Sequence, residues 1–75
     1  MHPPTSEIVA SNIRAELARQ RISQRDLAEK LGRSVMFINR RVTGEGFSDL
    51  DTLDDIAAAL GVSRDDLLSD HKATA

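Results

Sequence analysis

The sequence predicts an all-α fold, a compact domain of five short helices. Apolar residues recur every three or four positions, as on one face of a helix, and β-branched residues nowhere alternate as in a strand. Serine, aspartate and glycine separate these segments, at positions where helices begin and end. The chain has 75 residues, which is enough for one small core and too few for a second lobe or a deep cleft.

Each predicted helix has a polar residue that can cap its start. The helices are predicted over residues 6–20, 24–31 and 35–43, between Asp49 and Gly61, and after Ser63. The capping residues are Ser6, Ser23, Ser34, Asp49 and Ser63. Asp26 and Asp66 follow two of these serines at the spacing of a capping box, with aspartate in place of the usual glutamate. The glycines expected to end helices are Gly32, Gly44 and Gly61.

The chain carries no sign of a secreted, membrane or catalytic protein. We expect residues 6–69 to form the domain, with disordered tails at 1–5 and 70–75. Without cysteine there is no disulfide or thiolate zinc site, no apolar run approaches the roughly 18 residues of a membrane span, and the start MHPPTSE has no signal-peptide pattern. A cytoplasmic location is therefore expected. Because His2 and His71 lie in the tails, we expect no enzymatic activity, no metal site and no cofactor.

Charge is distributed unevenly along the chain. The formal net charge is −2, but residues 1–44 hold eight Lys and Arg against four acids, a net of +4. Residues 45–75 hold two basic residues against eight acids, a net of −6. The asymmetry predicts one basic and one acidic face, and the basic face suits a nucleic-acid partner. The alternative is two surfaces that simply face solvent.

Residues 34–44, SVMFINRRVTG, raise the question of which side chains the third helix shows to solvent. At about 100° per residue, the side predicted to face the core consists of Val35, Ile38 and Val42. Arg40 lies on the opposite, outward face, flanked by Met36 and Phe37, and Arg41 lies beside this face. Apolar groups beside arginines suit the DNA major groove, where arginine pairs with guanine and an apolar group contacts the thymine methyl. The alternatives are that Phe37 folds back onto the first or fourth helix, and that the arginines contact only solvent.

Two stretches, SQRDLAEKLGRSVMFINRRVTG and LDTLDDIAAALGVSRDDLL, resemble the Cro/C1-type, or lambda-repressor-like, helix-turn-helix family. The resemblance covers about residues 8–68, and its features occur in the family's order. Gln24 begins the second helix, small Ala28 lets the second and third helices pack closely, and Gly32 makes the turn. Ile38 then inserts the third helix into the core.

The resemblance implies a five-helix lambda-repressor-like domain whose second and third helices form the helix-turn-helix. Its implied partner is a double-stranded DNA operator. The residues expected to contact base edges are Val35, Met36, Phe37 and Arg40. The residues expected to contact phosphates are Ser23, Gln24, Arg25, Arg33, Ser34, Asn39, Arg41 and Thr43, with the loop 44–48 beyond them.

The third helix departs from the family pattern at two positions. Many members have a polar residue at Val35 and an apolar residue at Arg41, so the apolar anchor has moved from position 41 to Val42. The shift leaves open whether Arg40 or Arg41 contacts bases. Glu45 in the following loop is expected to turn away from phosphates.

The leading hypothesis is a sequence-specific transcriptional regulator, a small Cro-like phage or bacterial repressor that inserts its third helix into the major groove. The alternative is an antitoxin or accessory module that binds a protein partner through the acidic third of the chain. The residues that motivate this alternative are Asp49, Asp51, Asp54, Asp55, Asp65, Asp66 and Asp70. A homodimer is left open under either hypothesis.

Overall fold

The computed structural model describes residues 5–43 and 50–69, and these two ranges contain helices and turns but no strand. The helices are α1 (Thr5–Gln20), α2 (Gln24–Leu31), α3 (Val35–Val42), α4 (Leu50–Leu60) and α5 (Arg64–Leu68). The predicted all-α class is therefore confirmed.

The predicted helix boundaries differ from the observed ones by one residue at two places. Helix α1 begins at Thr5, so Ser6 lies in its first turn instead of before it. Helix α3 ends at Val42, and Thr43 is its C-terminal cap instead of its last residue. Thr5, which was predicted to belong to the disordered N-terminal tail, is the first residue of α1. The predicted roles of Gly44 and Asp49, the loop 44–48 and the rest of both tails fall outside the described residues.

Both predicted capping boxes are present. At the start of α2, the Ser23 hydroxyl accepts from the Asp26 backbone N–H at 3.0 Å, and the Ser23 N–H donates to the Asp26 carboxylate at 3.2 Å. Ser63 and Asp66 make the same two bonds at the start of α5, at 3.0 and 3.1 Å. Aspartate can therefore replace glutamate in this arrangement, and the two bonds satisfy donors that a helix start leaves without intrahelical partners.

The core is apolar and draws on all five helices. Helix α1 packs against α3 and α5, α2 packs against α3 and α4, and α4 contacts α5. The buried hydrophobic residues are Val9, Ala10, Ile13, Leu17, Leu27, Ala28, Ile38, Val42, Leu53, Ile56, Ala57, Leu60 and Leu67. Helix α3 is therefore held by two neighbouring helices, which fix its inner side and leave an outer side to solvent.

One buried residue of α1 is polar. Asn12 is 8% exposed, and its side-chain Nδ2 donates to the backbone oxygens of Leu67 and Ser69 at 2.7 and 2.6 Å. A third carbonyl, that of Asp66, lies at 3.5 Å. These are carbonyls at the C-terminal end of α5, where a helix has no intrahelical donors left to offer. Asn12 therefore ties the short last helix to the first.

Two further side chains of α1 donate hydrogen bonds to carbonyls at the ends of other helices. Arg14 donates through Nη1 to the carbonyl of Val42, at the end of α3. Gln20 donates through Nε2 to the carbonyl of Leu60, at the end of α4, at 2.7 Å. Helix α1 thus satisfies C-terminal carbonyls of three different helices, in addition to its apolar contacts. None of these roles was predicted from the sequence.

Helix α1 itself ends in a left-handed turn that contains no glycine. Arg21 has φ of 57°, whereas the equivalent position after α4 is Gly61, with φ of 73°. The Ile22 N–H donates to the Leu17 carbonyl at 2.9 Å, and the Arg21 N–H to that of Ala18 at 3.2 Å. These two bonds form a Schellman motif, in which a residue with a Cβ atom is strained.

We expect Arg21→Gly to stabilise the domain by about 0.5–1 kcal/mol, because glycine adopts this conformation without the Cβ penalty. Thermal unfolding should shift upward by roughly 2–8 °C. The reciprocal control is Gly61→Arg: a Cβ atom there meets nothing within 4 Å, so only backbone strain acts, and the unfolding temperature should fall. A lower unfolding temperature for Arg21→Gly would show that the arginine side chain contributes more than the strain costs.

Candidate nucleic-acid interface

Helices α2 and α3 and the turn between them form the unit that positions the candidate interface. Gly32 has φ of 65°, in the left-handed region, and the Arg33 N–H donates back to the Ala28 carbonyl at 2.9 Å. Ser34 then caps α3, with its hydroxyl accepting from the Phe37 N–H at 3.0 Å. The turn is thus closed by local bonds on both sides, and the angle between the two helices is set within three residues.

The start of α3 presents apolar side chains to solvent. Met36 is 66% exposed and Val35 is 42% exposed, and Arg40, one turn further along, is also exposed. The prediction that Val35 lies in the core is wrong. Cα–Cβ bonds tilt toward the N-terminus of a helix, so the side chain of a first residue projects past the end of the helix and away from the packed turns.

Phe37 does not lie on the outward face as the helical wheel predicts. Its ring is half-buried and packs against the hydrophobic core. It borders a small crevice with Leu31 at the end of α2 and with Thr52 and Asp55 of α4. The alternative in which Phe37 folds back toward the core, on the side of the fourth helix, is the one observed.

Two guanidinium groups contact the Phe37 ring. The Cζ atom of Arg33, in the turn, lies 4.8 Å from the ring centroid, and that of Arg41, in the last turn of α3, lies 4.3 Å from it. Arg41 is half-buried, whereas Arg33 is exposed. Both distances are in the range of cation–π contacts. The two positively charged groups are therefore held beside α3 by one aromatic side chain.

The start of α2 is joined to α3 by a pair of amide side chains. Asn39 donates through Nδ2 to the Oε1 atom of Gln24 at 3.2 Å. This bond engages the Gln24 carbonyl oxygen and not its two amide N–H donors. Ser23 and Arg25, on either side of Gln24, are exposed. The predicted phosphate-contacting residues of α2 and the neighbouring face of α3 thus form one continuous surface.

Two of the predicted phosphate-contacting residues differ in what their hydroxyl groups can donate. The Ser34 hydroxyl accepts a backbone bond, so its hydrogen can be donated to an anion. The Thr43 hydroxyl instead donates to carbonyls of α3, at 2.9 Å from Asn39 and 3.2 Å from Arg40. Since a hydroxyl has one hydrogen, Thr43 is a poor phosphate donor in this conformation.

The acidic residues that the structure describes lie largely on the other helices. Asp51, Asp54 and Asp55 are exposed on α4, and Asp65 is exposed on α5. Asp54 forms an ion pair with Arg64, whose Nε lies 3.5 Å from the carboxylate. The exposed face of α2 and α3 therefore differs in charge from that of α4 and α5. Within the described ranges no group of three or more metal-ligating side chains comes together, and no helix is long and apolar enough to cross a membrane.

Two helices joined by a tight turn, with the second held in the core and its outer face exposed, define a helix-turn-helix nucleic-acid-binding domain. The sequence profile of the Cro/C1-type HTH DNA-binding domain matches residues 12–73, and the chain belongs to this family. It is thus a DNA-binding helix-turn-helix protein, as its sequence predicts.

Solved structures of bacterial proteins share the fold. The clp gene regulator ClgR from C. glutamicum has a TM-score of 0.85 at 23% identity, over 97% of this chain and 95% of that chain. NHTF, a hypothetical transcription factor from Neisseria, has a TM-score of 0.86 at 24% identity, over 95% of this chain and 82% of that chain. The comparison with curated proteins found no match. At these identities the structures support the fold and not a particular target.

Proposed function

We propose that the protein is a sequence-specific regulator of transcription that inserts α3 into the major groove of duplex DNA. The observation that carries the proposal is the exposed group at the start of α3, Met36 and Val35 with Arg40 one turn on, on a helix whose inner side is buried. Exposed apolar side chains of this size are unfavourable in water and favourable against thymine methyl groups.

Val35, Met36 and Arg40 are the base-contacting residues in this proposal. Arg40 suits a bidentate contact to guanine, and the two apolar residues suit thymine methyl groups. Arg40 is favoured over Arg41 as the base-contacting arginine, because Arg41 is half-buried against an aromatic ring. Phe37, which packs against the core, is not assigned a base contact.

The phosphate contacts come from the start of α2 and from the turn. Gln24 and Arg25 open α2, where backbone N–H groups and the helix dipole favour anions, and Ser23 and Ser34 can add hydroxyl donors. Asn39 holds the Gln24 side chain in place. The remaining phosphate contacts are assigned to Arg33 and Arg41, and none is assigned to Thr43.

One module of this size buries limited surface on DNA and discriminates modestly between sequences. We therefore propose that two copies bind half-sites about one helical turn apart, and that occupation of a promoter represses transcription. A small phage or bacterial repressor fits this mechanism. The antitoxin or accessory-protein hypothesis has less support, because Asp66 closes a capping box and Asp54 pairs with Arg64.

Selection of bound sites from random duplex DNA tests the proposal. We expect a palindromic consensus whose half-site contains a guanine next to thymines. An asymmetric consensus would contradict the dimer, and the absence of binding to any duplex at low salt would contradict the function as a whole.

Arg25→Ala should weaken binding to every duplex and reduce the dependence of affinity on salt, since each lost phosphate contact lowers the slope of log K against log salt by about 0.9. The measurement is fluorescence anisotropy over a salt series, with selected and unrelated duplexes. The matched control is Arg64→Ala, which removes the same charge from α5 and should leave the slope unchanged. Equal slopes for wild type and Arg25→Ala would remove Arg25 from the interface.

A further inference from the structure

Phe37 lies at the centre of a three-residue cluster with regular spacing. Arg33 precedes it by four residues and Arg41 follows it by four, and both Cζ atoms contact its ring, at 4.8 and 4.3 Å from the centroid. The ring packs against the hydrophobic core, which restricts its motion. The two guanidinium groups therefore rest on a rigid support, although each stands at the end of a long and flexible side chain.

The arrangement places two like charges on one ring. Because both Cζ atoms are measured from the same centroid, they are no more than about 9 Å apart, which is close to the screening length at physiological salt. Holding two arginines in this way opposes both their mutual repulsion and their rotamer freedom. Asp55 of α4 borders the same crevice and offers Arg33 a competing position. The planar guanidinium matches phosphate oxygens, so the phosphates of a DNA backbone are anions that suit this pair.

We propose that Phe37 is a positioning residue that holds Arg33 and Arg41 in place for the phosphates of the DNA backbone. The proposal rests on the proposed function and assigns a role that differs from base contact. By ordering the two arginines before DNA arrives, the ring reduces the entropy that binding must overcome. The gain does not depend on base sequence, because phosphates are the same in every duplex.

A double-mutant cycle separates positioning from other roles. Phe37→Leu keeps an apolar side chain against the core and removes the ring, and Phe37→Tyr keeps the ring. Both are made in the wild-type chain and in a background that carries Arg33→Gln and Arg41→Gln. Affinities are measured by anisotropy for the selected site and for an unrelated duplex, and thermal unfolding is recorded for each variant. Val62→Ala, a change in another partly buried residue packed on the core, controls for loss of stability alone.

We expect Phe37→Leu to weaken binding to both duplexes by roughly five- to 150-fold, because two arginine side chains must then be ordered on binding, and to leave the ratio of the two affinities unchanged. Phe37→Tyr should restore affinity to within about twofold of wild type. In the background without the two arginines, Phe37→Leu should have no further effect. In the DNA-free protein, NMR relaxation of the arginine Nε groups should show that both side chains become mobile in Phe37→Leu.

An equal loss in both backgrounds would overturn the proposal and indicate a structural role. A loss confined to the selected site would also overturn it and indicate base contact. If wild type bound no duplex, the proposed function would fail and this role with it. Duplex binding by wild type with no coupling in the cycle would instead refute only the positioning role.

Discussion

Replacing Asn12 by aspartate should leave the domain largely unfolded at neutral pH. The change keeps the shape of the side chain but removes the two N–H groups that satisfy the carbonyls of Leu67 and Ser69. It also places a buried negative charge against those carbonyls, in a crevice that Glu16 and Asp66 border. An uncompensated buried charge costs about 3–5 kcal/mol, which is comparable with the total stability of many domains of this size.

The loss of folding stability caused by Asn12→Asp should depend on pH. Burial disfavours the ionised carboxyl, so its pKa in the folded state is raised above the unfolded value of about 3.9. Between the two pKa values the folded state binds more protons than the unfolded state, so stability relative to wild type falls as pH rises. Near about pH 4 the neutral acid can donate one hydrogen bond, and part of the deficit should disappear.

Asn12→Asp is compared with wild type by urea unfolding at acid and neutral pH. Ala18→Asp is the matched control, because it adds the same charge to an exposed position of α1 that does not border this crevice, and it should cost only about 1 kcal/mol. Equal stability of Asn12→Asp and Ala18→Asp at neutral pH would show that α5 does not depend on the Asn12 amide.

Arg40→Ala should remove discrimination between the operator and a variant altered at the one guanine that Arg40 contacts. A bidentate contact from arginine to guanine contributes about 1–3 kcal/mol of discrimination, which corresponds to roughly 5- to 150-fold in affinity. Arg40 is exposed on α3, one turn beyond Met36, so its guanidinium extends from the same outer face as Val35 and Met36. The measurement is a set of dissociation constants for the selected site and for each single substitution in one half-site.

The expected pattern for Arg40→Ala is a loss at one guanine position with the other positions unaffected. Arg64→Ala again serves as the control, since it removes an arginine from α5 and should change no position. Unaltered discrimination in Arg40→Ala would assign the guanine contact to Arg41, and Arg41→Ala should then show the loss. A uniform loss at all positions would place Arg40 on the phosphate backbone.

The local features of the fold could be predicted because they depend on neighbouring residues. Ser23 and Asp26 form the predicted capping box, and Gly32 adopts the predicted left-handed conformation. Ala28 and Ile38 are buried at the junction of α2 and α3, as the family resemblance implies. Each of these outcomes is decided within a few residues or by apolar spacing along one helix, and both kinds of information are present in the sequence.

The side of α3 that faces the core was predicted less well. A helical wheel gives Val35 and Val42 similar directions, yet Val35 is 42% exposed and Val42 is 1% exposed. The wheel contains no information about where neighbouring helices end, and Val35 lies at the open end of α3. Phe37, which the wheel directs outward, is half-buried because α2 and α4 border that side. Arg41, which the wheel places beside the outward face, is also half-buried. The core therefore covers a side of α3 that is rotated from the predicted one.

The sequence by itself determined five helices, the N-terminal caps of α2, α3 and α5, most of the core and membership of a DNA-binding family, since these follow from short-range spacing and ordered motifs. Only the tertiary structure decided which helix ends Asn12, Arg14 and Gln20 satisfy, and that Phe37 supports two arginines instead of facing solvent. The physical reason is distance along the chain. A carbonyl at the end of a helix needs a donor, but which donor reaches it depends on how helices separated by tens of residues pack together.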